Sequence, residues 1–524
     1  MTRLGAKPVL HRAELVALLS LGTDLGLGQP MEHMIRASVL ALRLADDLGL
    51  NEAERRVVYY SGLLAWVGCH TDAYEQAKWL GDDLLLKSDA HYAYDAGRPG
   101  PAAAMLLKHI GGAGRPWMER IALGLKFFGE GRHALAQMAE NHYRATDHLA
   151  AALGLGEDVR VGLSQTYERW DGKGALGLRG EESVISARLI NLTDVVEVFR
   201  RTGGADAAIA VARERSGAQF DPGLVDLFCR RAPDLFRELD AAPGWQTVME
   251  LEPSLGEAVA EVDLDRYLSA IGDFAELKSP WLLGHSRGVA ELAADAAAGE
   301  GLPATQVIEL RRAGYLLDIG RLGVPNTIWD KRGPLTQAEM ERVRLHPYLT
   351  ERMLSYSEAL ASLGAIAIQH HERLDGSGYP HGSAGASITL PAQILAAADV
   401  YQAMTEARPH RAARSPEAAA AELKAEVTRG RIGGDAVAAV LQAAGHRVGR
   451  RRGHPAGLTA REVEVLRLLT LGLSNKEIAQ RLFISPKTAG SHVENIYGKI
   501  EAGNRAQAGL FAMRHGLIVE ASFE

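Results

Sequence analysis

The chain has 524 residues, 47% of them hydrophobic and 23% charged, with a formal net charge of −7. That length predicts three or so domains, each able to bury its own core. Two cysteines, Cys69 and Cys229, exclude a disulfide scaffold and fit a reducing cytosol. No apolar run approaches the ~20 residues of a membrane span, and the first residues carry no basic-then-apolar signal pattern, so a cytoplasmic protein away from the membrane is expected.

Alanine and leucine dominate and aromatic residues are only 6%, which favours an all-α fold. The charge is unevenly spread. From Arg447 onward there are 12 Lys/Arg against 7 Asp/Glu, while the preceding 446 residues carry 46 against 58. A basic tail on an acidic body suits nucleic-acid contact by the tail alone.

In chain order, residues 12–66 read as amphipathic helices, with Ala41, Leu44, Ala45 and Leu48 along one face and Gly49 as a stop. His33, the turn Leu63 to Gly68, and the run Tyr167-Glu168-Arg169-Trp170-Asp171-Gly172 then stand out. Each has an echo later in the chain. His33 to Gly68 and His285 to Gly320 are both 35 residues apart; Tyr167 to Asp194 spans 27 and His371 to Asp399 spans 28. This is an internal repeat, with about 48 extra residues in the first copy, placed across 71–125.

The first copy has lost ionisable residues. Ala65 and Trp66 stand where the second has Leu317 and Asp318, and Thr166 and Tyr167 replace His370 and His371. His33, His142 and Asp194 remain, and a packing role is expected for them. Pro233, Pro243, Gly244 and Pro253 mark a linker within 233–280, and Gly445 to Pro455 a short basic hinge. The expected domains are therefore 1–240, 241–449 and 450–524.

The stretch His370-His371-Glu372-Arg373-Leu374-Asp375-Gly376-Ser377-Gly378-Tyr379-Pro380 joins two imidazoles, read as a helix end, to a glycine-rich turn. It resembles the signature of the HD-GYP family, helical metal-dependent phosphodiesterases of cyclic di-GMP. The resemblance runs residue by residue from 281 to 412. It takes in His285, the turn Leu317-Asp318-Ile319-Gly320-Arg321, His346-Pro347, Asp399 and Arg408-Pro409. It implies that His346, His370 and His371 hold one metal, that His285 and Asp399 hold another, and that Asp318 bridges them. Arg321 and Arg408 would meet substrate phosphates, with Asp318 at the centre of catalysis. Two metals activate water and neutralise phosphoryl charge, and iron or manganese, one or two per chain, is the implied cofactor. One position departs from the family: Leu317 stands where a histidine precedes the bridging aspartate.

Residues 455–524 carry a capping-box start at Thr459 and Glu462, an apolar face on Val463, Val465, Leu466, Leu468 and Leu469, and a Ser485-Pro486 helix start. They resemble the LuxR-type helix-turn-helix domain. The resemblance implies a third helix near 486–500 in the major groove of duplex DNA, and a dimer helix from Arg505 to His515. Lys476, Lys487, Thr488, Ser491, His492 and Asn495 would face DNA, with Lys499 meeting phosphate.

Three readings follow. One is a DNA-binding transcriptional regulator whose body binds metal and senses or slowly hydrolyses a cyclic dinucleotide. The second is an active phosphodiesterase with a DNA-tethering tail. The third is a metal-stabilised dimerisation scaffold without a nucleotide. A homodimer fits all three.

Overall fold

The computed structural model describes residues 8–89, 100, 108–110, 116–127, 132–242, 244–253, 257–446, 455–458, 460–482, 484–515 and 517. Among these residues every regular element is helical, α or 3-10. The chain divides into two compact units, Met1–His446 and Arg447–Glu524.

The first unit begins with helices Arg12–Gly26, His33–Asp47 and Glu52–Leu64. Arg12–Gly26 is apolar almost all round, and so it is buried almost all round. In His33–Asp47, Ala41, Leu44 and Ala45 face the core, while Leu48, one residue past the last turn, is exposed. Gly49 follows at φ 70°, the left-handed position that ends many helices. Glu52–Leu64 starts on a capping box: the Asn51 side chain accepts the Glu54 N–H at 3.0 Å and Glu54 accepts the Asn51 N–H at 2.9 Å.

One apolar core runs from Leu10 to Leu363, joining Leu15, Leu18 and Leu21 to Ala290, Leu316, Leu322 and Met353. It does not divide near 240. Residues 233–280, expected as a linker, are largely helical, in Pro222–Ala241, Gly244–Glu250 and Glu261–Glu276. Pro233 lies inside the first of these. Burial of Phe228, Ala232, Leu235, Phe236 and Leu239 outweighs the hydrogen bond that a proline removes. The basic hinge expected over 445–457 lies mostly outside the described residues.

Equivalent contacts recur in the two halves of this unit. A Cβ on Gly68 would sit 2.3 Å from the His142 carbonyl oxygen, and one on Gly320 would sit 2.1 Å from that of His346. Both turns therefore need glycine to lie against the following helix. Gly62 packs on Ser38 as Gly314 packs on Ala290, and Gly174 on Glu168 as Gly378 on Glu372. The stretch 71–125 contributes helices Ala73–Leu80 and Asp83–Ser88 and most of Trp117–Lys126, while residues 90–99, 101–107 and 111–115 lie outside the described residues.

The second unit consists of a 3-10 turn, Pro455–Gly457, and helices Ala460–Thr470, Asn475–Leu482, Pro486–Lys499 and Arg505–Arg514. Its core gathers Val463, Val465, Leu466, Leu469, Ile478, Ala489, Val493, Ile496, Ala508 and Ala512.

Candidate metal centre

His285 opens helix His285–Gly299 immediately after Gly284, which turns the chain at φ 84°. The Glu276 carboxylate accepts the N–H groups of Gly284 and Ser286, occupying donors that a helix start leaves unpaired. Asp318 sits where helix Ala304–Leu316 breaks into the 3-10 turn Ile319–Gly323. Thr350 braces this break: its hydroxyl accepts the Gly320 N–H at 3.0 Å and donates to the Leu317 carbonyl at 3.1 Å.

His346 begins helix His346–Leu354. His370 and His371 lie on a 3-10 turn, Ile368–His371, that continues helix Glu358–Ala367. They were expected on an α-helix; the tighter turn separates successive side chains by about 120° instead of about 100°. His346 Nδ1 donates to the Val343 carbonyl at 2.5 Å, and His370 Nδ1 donates to that of Ala367 at 2.6 Å. These bonds fix the tautomer and leave Nε2 of each ring as a lone-pair donor.

All six expected ligands converge. Asp318 Oδ1 is 3.3 Å from His346 Nε2 and 3.6 Å from His370 Nε2, while its Oδ2 is 3.8 Å from His285 Nε2. Asp399, on helix Leu390–Thr405, is 3.1 Å from His285 Nε2. His371 lies edge-on to His346 at 5.0 Å between ring centroids, and Tyr379 covers it at 4.7 Å. Gly378 makes this cover achievable, since a Cβ there would sit 2.5 Å from Glu372 Cα. The Tyr379–Pro380 peptide is cis.

The donor set fits a metal. His346, His370 and His371 each offer a ligand atom within 4.8 Å of the others. The Nε2 atoms of His346 and His370 and Asp318 Oδ1 are buried without a well-aligned hydrogen bond, and Asp318 Oδ2 is met only by the Arg321 ion pair, a costly arrangement unless a further cation satisfies them. Burial pushes His370 down to about 4 and His371 well below the ordinary range, so both rings are neutral donors. Burial alone would raise the Asp318 carboxyl, but Arg321, His346 and His370 hold it well below the usual range. Asp399 is likewise low: its bond to His285 overrides burial.

Two arginines flank the cluster. Arg321 Nε lies 2.8 Å from Asp318 Oδ2, and its guanidinium covers the Trp329 ring at 4.7 Å. Arg408 donates to the Trp281 carbonyl at 3.1 Å and to Glu406 at 2.8 Å. Leu317 is fully buried. Glu406 is the residue that motif reading missed: its carboxylate accepts from His285 Nδ1 at 2.9 Å. The only signal in the sequence is a glutamate seven residues after Asp399, which no spacing rule singles out.

In the first half, His33 reaches Asp194 at 2.9 Å and Glu197 at 2.6 Å. His142 pairs with Asp72 at 2.7 Å and with the Tyr167 hydroxyl at 2.9 Å. Trp66 and Tyr167 pack edge to face at 5.1 Å where the second half has Asp318 and His371. Thr166 donates to the Leu163 carbonyl at 3.0 Å, mirroring the backbone bond of His370. Aromatic rings and ion pairs thus fill the place of the ligands.

In the second unit, Ser485 caps helix Pro486–Lys499 by accepting the Thr488 N–H at 3.1 Å. Lys476, Lys487, Thr488, Ser491 and Asn495 are exposed and His492 is half-buried. Lys499 is exposed, and its ammonium pairs at 2.7 Å with Glu462, a buried carboxylate on helix Ala460–Thr470, since an ionised carboxylate inside the bundle needs a cation. Thr459, the expected capping partner of Glu462, lies outside the described residues. Among the described residues, Ser474 and Glu477 form a capping box.

Comparison with known proteins finds a match for each unit. Residues 270–435 match the HD domain, and residues 456–512 match the luxR family of bacterial regulatory proteins. The 3'3'-cGAMP-specific phosphodiesterase 3 of Vibrio cholerae is 31% identical over 406 residues, covering 76% of this chain and 88% of that protein. A cyclic di-GMP phosphodiesterase of Pseudomonas aeruginosa is 32% identical over 266 residues, covering 48% of this chain and 59% of that one. The crystal structure of a cyclic GMP-AMP specific phosphodiesterase of V. cholerae superposes with a TM-score of 0.58 at 26% identity, covering 84% of this chain and 98% of its own. The chain belongs to the HD-GYP family of HD-domain proteins and carries in its second unit a domain of the bacterial luxR regulatory family.

Proposed function

We propose that this protein is a DNA-binding transcriptional regulator whose body binds metal and senses, or slowly hydrolyses, a cyclic dinucleotide. The observation that carries this reading is the convergence of His285, His346 and His370 on the two oxygens of Asp318, in a chain that also holds a luxR-family unit. His346, His370 and His371 would hold one metal, His285 and Asp399 the other, with Asp318 shared. Iron or manganese suits this imidazole and carboxylate set. Bound there, the metals would lower the pKa of water and draw charge from the phosphoryl oxygens.

The chain's own residues supply the rest. Arg321 and Arg408 flank the cluster and would orient the phosphodiester, a task that suits the guanidinium fork. The neutral rings of His370 and His371 and the ionised Asp318 and Asp399 are already in ligand form. Leu317 leaves the His285 side one imidazole short, which weakens the hold on that metal and slows turnover. The first half, with Trp66 and Tyr167 in its centre, is a degenerate second copy that packs and supports. On the second unit, Lys476, Lys487, Thr488, Ser491, His492 and Asn495 would face duplex DNA, read by a homodimer in the cytoplasm.

The names of the relatives favour a second reading, an active phosphodiesterase with a DNA-tethering tail. One experiment separates the two. The full chain is loaded with manganese, offered 3'3'-cGAMP or cyclic di-GMP, and followed for nucleotide hydrolysis and for retention on promoter DNA. A regulator changes its DNA affinity while nucleotide persists; an enzyme consumes nucleotide at unchanged DNA affinity. Binding of neither nucleotide returns the body to a metal-stabilised scaffold.

A further inference from the structure

Glu406 lies just past the end of the helix that carries Asp399, and its two oxygens are engaged from three sides. Its Oε2 receives His285 Nδ1 at 2.9 Å and Arg408 Nη2 at 2.8 Å, while its Oε1 receives Gln402 Nε2 at 2.8 Å. Arg408 is pinned in turn by the Trp281 carbonyl. His285 therefore stands between two carboxylates, with Asp399 at Nε2 and Glu406 at Nδ1.

A neutral imidazole has one N–H and one lone pair, so the partner of one nitrogen decides what the other can do. A carboxylate on Nδ1 keeps the proton there and presents Nε2 as the ligand atom. It also raises the ring's basicity towards a metal. This matters most on the side where Leu317 has removed an imidazole. His346 and His370 use backbone carbonyls for the same purpose. Of these three rings His285 alone is backed by a carboxylate, one it shares with Arg408, whose Nη2 also lies 3.2 Å from His285 Nδ1. The first half makes a matching contact from a different register: His33 Nδ1 meets Glu197, one turn after Asp194 and not seven residues after it. Two unrelated backbone positions deliver a carboxylate to the same ring nitrogen, so it is the contact, not the local backbone, that recurs.

We infer that Glu406 is a positioning residue of the metal centre: it fixes and strengthens His285 as a ligand on the side that Leu317 leaves short, and holds Arg408 at the mouth. This rests on the reading of Asp318 as a bridge between two metals.

The test uses full-length wild type, Glu406→Ala, Glu406→Gln and Glu406→Asp, each titrated with cobalt(II). Metal stoichiometry is read by elemental analysis after dialysis, the visible cobalt spectrum reports ligand identity, and melting without metal controls for folding. In Glu406→Ala the second metal should bind about 10–100-fold more weakly, the usual cost of losing an outer-shell partner. The first should bind as in wild type. Glu406→Asp should restore part of the affinity and of the spectrum, and Glu406→Gln, which lacks the charge, should restore less. Two metals bound at wild-type affinity with an unchanged spectrum in Glu406→Ala would overturn this role and leave the two-metal centre intact. A wild type that saturates at one metal would overturn both together, and that result is visible before any variant is compared.

Discussion

Lys278 and Asp83 form an ion pair at 2.8 Å with neither side chain reaching solvent. The aspartate comes from helix Asp83–Ser88 in the first half, and the lysine from just before the metal-bearing helix His285–Gly299. Asp83 also accepts the N–H of Asn326, directly after the turn that carries Asp318 and Arg321. The segment 71–125, expected as mere extra length, therefore reaches under the candidate site. Lys87 lies 3.6 Å from the same carboxylate, and burial pushes it down to about 8.

Replacing one partner leaves a buried charge without compensation, at a cost of about 3–5 kcal/mol. Asp83→Asn should lower the melting temperature of the body more than Lys278→Met, because it strands two ammonium groups. Thermal unfolding of both variants checks the order. Equal or negligible losses would show that water reaches this pair.

His370→Ala combined with His371→Ala should abolish metal at the His346 end, whereas His33→Ala should leave metal content unchanged, since Trp66 and Tyr167 fill the equivalent place. Elemental analysis reads both. Metal retained by the double variant would refute the ligand assignment.

Leu317→His should raise occupancy of the His285-side metal and raise phosphodiester hydrolysis roughly tenfold or more, about 1.4 kcal/mol of transition-state stabilisation. The neighbours His285, Asp318 and Asp399 are already in place, and the Leu317 carbonyl is held by Thr350, so the backbone should not move. Stoichiometry and turnover are measured together. Two metals without added turnover would mean that more than one residue separates this body from an efficient enzyme.

The buried His33 group predicts a pH profile. Burial lowers its pKa, but the bonds to Asp194 and Glu197 win and raise it to about 10, above the ordinary 6.5 of a histidine. Its contribution is therefore complete below pH 6.5 and lost as pH rises towards 10, at about 1.4 kcal/mol per unit for one proton. Asp24, beside it, is raised to about 8 by burial and so disfavours folding increasingly from pH 4 to 8. Asp24→Asn keeps the acceptor for the Met34 N–H and should be more stable than wild type at pH 8, with little difference at pH 4. Denaturant unfolding across that range decides it, and a wild type that grows more stable from pH 7 to 10 would contradict the assignment.

Lys487→Ala should weaken DNA binding and reduce the salt slope by about one unit. Lys499→Ala should instead destabilise the second unit, because its partner Glu462 is buried. Anisotropy titrations at several salt concentrations, with melting curves, distinguish the two effects.

Motifs made the metal centre legible because each ligand there sits next to a residue that fixes its backbone: Gly284 before His285, Gly320 after Asp318, Gly378 over the His pair. Such residues leave a mark at fixed short distances. Glu406 and Asp83 act across the fold, and nothing near them in the chain announces the contact. The linker expected at 233–280 failed for a related reason: proline and glycine are local signals, whereas the burial of Phe236 and Leu239 depends on partners far away. The pairing of Lys499 leaves no local mark because its carboxylate lies 37 positions earlier.

The aromatic filling of the first half has a further consequence. His33 is held between the carboxylates of Asp194 and Glu197, so that pairing is complete without a metal. The shared core binds this self-sufficient half to the one that would exchange metal. Stripping metal from the chain should therefore loosen the turns around Asp318 and His370 while the helices behind them stay in register.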